Sequence, residues 1–101
     1  MLSNSYSFAI TKSDDLKPVR DALAAGGYRA AIRAASDLGG TTELWALLTM
    51  SYYGPPGLHE SRRDADGQPS AETLREFPYI DQIIQDARAR AAIVLARDTW
   101  R

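Results

Sequence analysis

The sequence predicts a mainly α-helical domain, a small bundle of four to five helices with a short N-terminal extended strand or arm. Apolar residues recur at spacings of three and four along most of the chain, the period of a helix face turned toward a core. Gly26-Gly27, Gly39-Gly40 and Gly54-Pro55-Pro56-Gly57 cut that pattern into lengths that short helices fill. Only residues 5–11 alternate with the period of two that marks a half-buried strand, with Tyr6, Phe8 and Ile10 on one side. At 101 residues the chain has room for one domain, 1–101, and no second.

Residues 1–12 are the expected arm. A lone strand leaves its backbone groups without a ladder partner, so Tyr6, Phe8 and Ile10 are expected either to lie over the helices or to pair with another chain. Ser13-Asp14-Asp15 then supplies cap oxygens and first-turn negative charge. With Asp14 or Asp15 as the cap, Pro18 falls in the first turn, where its missing N–H would have had no partner anyway. Leu16, Val19, Ala22 and Leu23 form the apolar stripe of this first helix, and Gly26-Gly27 stops it near Ala25. A second helix carries Tyr28, Ala31, Ile32, Ala35 and Leu38 inward, leaves Arg29 and Arg33 on its outer face, and ends at Gly39-Gly40.

Thr41 or Thr42 caps a third helix, with Glu43 near its positive pole and Leu44, Leu47, Leu48 and either Met50 or Ser51 inside. Gly54-Pro55-Pro56-Gly57 ends it. Residues 54–69 lack apolar periodicity, carry His59, Glu60, Arg62, Arg63, Asp64 and Asp66, and read as a solvated loop. Ser70 with Glu72 opens another helix through Leu74 and Phe77, where Pro78 either bends it or begins a new one. In the last helix Ile80, Ile84, Ala87, Ala91 and Val94 form the stripe, widened by Ile83 and Leu95. Asp86 and Arg90 are spaced to pair, Arg97 and Arg101 suit the negative pole, and Trp100 adds an apolar tip.

Composition narrows the function. The chain is 45% apolar and 25% charged, an ordinary globular balance that excludes wholesale disorder. Twelve basic against 13 acidic residues leave a net charge of −1, so any polyanion site must be a local patch. Zero cysteines remove disulfide frameworks, thiol catalysis and thiolate metal sites together. The N-terminus lacks a basic region followed by a long apolar run, and no window has the roughly 18 apolar residues of a membrane helix, so a cytoplasmic protein without a membrane partner is expected.

Four constellations invite chemistry. The stretch from Ala34 to Leu48 has helix-turn-helix spacing, with Ala35, Leu38, Trp45 and Leu48 at its apolar positions and glycine at the turn. Its would-be recognition helix presents Thr41, Thr42, Glu43 and Ala46, with no basic or amide side chain for bases or phosphates. Arg20, Arg29 and Arg33 form a candidate basic face with Tyr28 alongside, which Asp21 and Asp37 could neutralise. His59 lies near Glu60, Ser61, Asp64 and Asp66, yet Arg62 and Arg63 interrupt any regular carboxylate spacing and no nucleophile-elbow pattern is present. The last group is aromatic: Trp45, Tyr52 and Tyr53, with Phe77, Tyr79 and Trp100, exceed what a small core absorbs.

These features point to a non-enzymatic protein-binding module, such as a small inhibitor, an immunity or anti-defence (anti-CRISPR-like) protein, or an adaptor. The expected contacts are Arg29, Arg33, Tyr52, Tyr53, Arg62 and Arg63, with strand pairing through Tyr6, Phe8 and Ile10. Tyr, Trp and Arg are the side chains that most often anchor interfaces. The expected partner is another protein, with a homodimer as a further assembly; no cofactor, metal or catalytic residue is assigned. A helix-turn-helix regulator is the alternative, and a small enzyme centred on His59 the third reading.

Overall fold

A computed structural model describes residues 16–39 and 42–99. They form four helices, α1 (Lys17–Leu38), α2 (Thr42–Tyr53), α3 (Ala71–Glu76) and α4 (Pro78–Thr99), with one 3-10 turn at Glu60–Arg62. The expected arm with Tyr6, Phe8 and Ile10, and the Ser13-Asp14-Asp15 cluster, lie outside the described residues.

The two helices expected on either side of Gly26-Gly27 meet without a loop. Gly27 interrupts α1 at φ 81°, ψ −166°, while the hydrogen-bonded spiral resumes directly after it. That backbone region is open essentially to glycine alone. At the start of α1 the cap residue is Leu16, where Asp14 or Asp15 was expected, and its apolar side chain makes no cap hydrogen bond. Its carbonyl receives the N–H groups of Val19 and Arg20 at 3.1 and 3.0 Å. Leu16 is itself buried in the core, so an apolar anchor sets the entry of the chain. Pro18 falls in the first turn as expected.

α2 is the central element and packs against both α1 and α4, while α3 packs on α4. The main core joins Leu16, Val19, Ala31 and Ala35 to Leu44 and Leu48 of α2 and to Ala91 and Leu95 of α4. Three of these eight positions are alanine, which lets the helices approach closely. Of the two candidates for the last inward position of α2, Ser51 is the buried one and Met50 is half-buried. Burial of Ser51 is tolerated because its hydroxyl donates to the Leu47 carbonyl at 2.7 Å. α2 stops at Gly54, which has φ 75° and donates its N–H to Met50 at 3.0 Å. A Cβ there would also come within 3.0 Å of Pro69 Cγ.

Pro78 begins a new helix. Phe77 leaves helical geometry at φ −128°, ψ 77°, as a residue before proline is pressed to do, and α4 starts at Pro78. Along α4 the buried line runs through Ile80, Ile84, Ala87, Ala91 and Leu95, with Val94 half-buried beside it. Asp86 accepts from Gln82 Nε2 at 3.1 Å in place of the expected Arg90. Among the described residues there is no β-strand, only an isolated bridge between Arg63 and Pro69, and no helix long and apolar enough to cross a membrane.

Candidate functional site

The segment expected as a solvated loop, 54–69, is exposed at its tips but organised around one guanidinium. Arg63 Nη1 donates to the carbonyls of Tyr53 and, at 2.8 Å, Gly67; Nη2 donates to Pro55 at 3.0 Å and Nε to Leu58 at 3.2 Å. Arginine alone can do this, because its planar fork carries five donors. The outgoing limb is closed by Asp64, whose Oδ1 accepts from Asp66 and Gln68 at 2.9 and 3.1 Å. Gly67, at φ 86°, lies against the Tyr53 ring, whose Cε1 is 3.1 Å from where a Cβ would stand.

Arg62 is also turned onto its own chain. It pairs with Glu76 at 2.7 Å and stands 5.0 Å from the Phe77 ring centroid. Its carbonyl receives the Ser70 N–H and the Thr73 hydroxyl, both at 2.9 Å. Ser70 in turn caps α3, accepting from Thr73 N at 3.1 Å. Of the six residues expected at a partner surface, Arg63 therefore spends its donors inside the fold, while Arg62 forms a surface pair with Glu76. Tyr52 and Tyr53 are half-buried and meet edge to face at 4.8 Å. Arg29 and Arg33 are exposed on the outer face of α1.

The wider basic face of α1 does not assemble. Arg20 reaches toward α4, with Nη1 3.5 Å from the Leu95 carbonyl, and Asp21 pairs with Lys17 at 2.7 Å. Tyr28 is half-buried with Arg88 5.1 Å from its ring centroid. Arg88 had no role in the sequence reading, yet its Nε also donates to the Ser51 carbonyl at 3.1 Å. The one sign of it in the sequence is a cation bordering the apolar stripe of the last helix.

His59 and Ser61 are brought together. His59 Nδ1 accepts the Ser61 N–H at 3.0 Å and lies 2.9 Å from its Oγ, which caps the 3-10 turn and places the neutral ring's proton on Nε2. Asp64 bonds the turn amides rather than the imidazole. Among the described residues no three His, Cys, Asp or Glu side chains gather as a metal site would need.

α2 occupies the recognition-helix position of the helix-turn-helix reading. It carries no Lys or Arg and lies between α1 and α4. Trp45, expected inward in that reading, is 41% exposed. The spacing 45–49–52 sets Trp45, Thr49 and Tyr52 along one flank of α2, and Thr49 Oγ1 donates to the Trp45 carbonyl at 2.7 Å. Leu38, at the end of α1, is also exposed. A comparison with protein-family models, curated proteins and solved structures finds no match to this chain.

Proposed function

We propose that this chain is a non-enzymatic protein-binding module, of the small inhibitor, immunity, anti-defence or adaptor kind. The reading rests on Trp45. A tryptophan left open to solvent on a well-packed central helix, in line with Tyr52, is the kind of rigid aromatic anchor on which interfaces concentrate their binding energy. The outward Arg29 and Arg33, one turn apart on α1, add planar donors suited to carboxylates of an acidic partner. The contact set is thereby drawn to Arg29, Arg33, Trp45 and Tyr52. Arg62, Arg63 and Tyr53 instead build the loop beneath α2.

The other two readings have less support. The His59 imidazole is accounted for by capping its own turn, and α2 offers phosphates no cation. The test is capture of a partner from the native host, followed by reconstitution from purified components. A protein partner bound at fixed stoichiometry is expected, with Trp45→Ala and the pair Arg29→Glu, Arg33→Glu each weakening it roughly tenfold or more. Binding indifferent to all three substitutions would overturn the reading. So would salt-sensitive binding to duplex DNA with no protein partner.

A further inference from the structure

The two most exposed large apolar side chains among the described residues are Tyr79 at 62% and Ile93 at 60%, and both lie on α4. They fall on one line. Tyr79, Gln82, Asp86, Ala89, Ile93 and Ala96 follow spacings of three and four in strict alternation, and every one is exposed. This is a heptad seam on the side of α4 opposite its buried stripe, running about 25 Å at the helical rise. The helix thus carries two faces of helical period, and the described residues bury one.

The charge order along α4 selects the occupant. Among its described side chains, exposed Asp81 and Asp86 sit in the N-terminal half and exposed Arg90 and Arg97 in the C-terminal half, where the sequence also carries Asp98. Arg88 is turned inward to Ser51 and Tyr28. A surface acidic at one end and basic at the other is complementary to itself under a two-fold axis, as an isologous interface requires. A parallel pairing would instead set like charges together.

We propose that the outer seam of α4 is an interface with a second copy of this chain, the two helices running antiparallel. In the register that seats the Tyr79 ring against Ala96 of the second copy, Gln82 falls opposite its Ile93. Asp86 falls opposite its Ala89 and beside its Arg90. Arg97 of the second copy borders the Tyr79 ring, a cation–π arrangement. The antiparallel helix dipoles also attract. This surface is separate from Trp45 and the Arg29, Arg33 pair, so it stands or falls independently of the proposed partner.

The test is sedimentation equilibrium of the full-length chain across the micromolar to millimolar range. A monomer–dimer equilibrium is expected. Ile93→Asp weakens it by roughly tenfold or more, with circular dichroism verifying that helix content is retained. Asp86→Arg alone and Arg90→Asp alone each weaken it, and the two together in one chain restore it. The two single variants mixed also associate more tightly than either alone. A wild-type chain monomeric throughout, or a dimer indifferent to Ile93→Asp, overturns the interface. A combined variant no better than the singles overturns the antiparallel register.

Discussion

The Arg88 guanidinium stands 5.1 Å from the centroid of the Tyr28 ring, across the seam between α4 and α1. The same side chain donates to the Ser51 carbonyl in the last turn of α2. Carbonyls in that turn have no partner within the helix, so one cation closes α2 while tying three helices together. Arg88→Met keeps most of the aliphatic stem and removes both contacts. It is expected to lower unfolding free energy by about 1–3 kcal/mol in urea titration, with Arg88→Lys between it and the wild type.

Gly27 makes a sharper case. Its φ of 81° and ψ of −166° place it where a Cβ is strained whatever the surrounding space, and the space is in fact open. Gly27→Ala is expected to cost about 1–3 kcal/mol. Gly57→Ala, also in open space but without a positive φ, should be nearly neutral when the two variants are compared by thermal melts.

Arg63→Ala removes the donor from four carbonyls at once. Amide exchange is expected to accelerate throughout 54–69, while the buried line of α4 from Ala87 to Leu95 keeps its protection. Arg63→Lys should not rescue the loop, because an ammonium on a flexible stem cannot reach carbonyls spread around a planar fork. Exchange that accelerates equally in α4 would mean the loop is not a separate unit.

On α2, neighbouring positions should differ widely. Leu48 is fully buried at the centre of the core, and Leu48→Ala is expected to destabilise by about 2–5 kcal/mol. Met50 is only half-buried, and Met50→Ala should cost markedly less by the same urea titration.

Helix positions were legible because their signals are local. Glycine at 27, 39 and 54 takes positive φ where each helical run was expected to stop, and Pro78 stands at the head of α4. The stripe of α4 was readable for the same reason. What escaped the sequence was the direction of long cations. Arg63 looks like a surface residue beside acids, yet its partners are carbonyls that only the folded loop gathers, and Arg62 meets Glu76 and the Phe77 ring across 14 and 15 positions of chain. Arg88 meets Ser51 across 37 positions of chain, a distance over which periodicity carries no information. Trp45 was misplaced by its apolar character: being hydrophobic says that a side chain gains from burial, not that its own fold provides it. The outward Arg29 and Arg33 were the part of the candidate site that helical spacing could supply.

The clasp of the 54–69 segment also has a direction in time. Tyr53, Pro55 and Leu58 leave the ribosome before Arg63, and Gly67 leaves after it, so nascent α2 emerges with its end unfastened until the following residues catch up. A chain interrupted at residue 62 would hold every carbonyl of the first limb and nothing to gather them. The shortest nascent fragment able to lock that corner must therefore extend past Gly67.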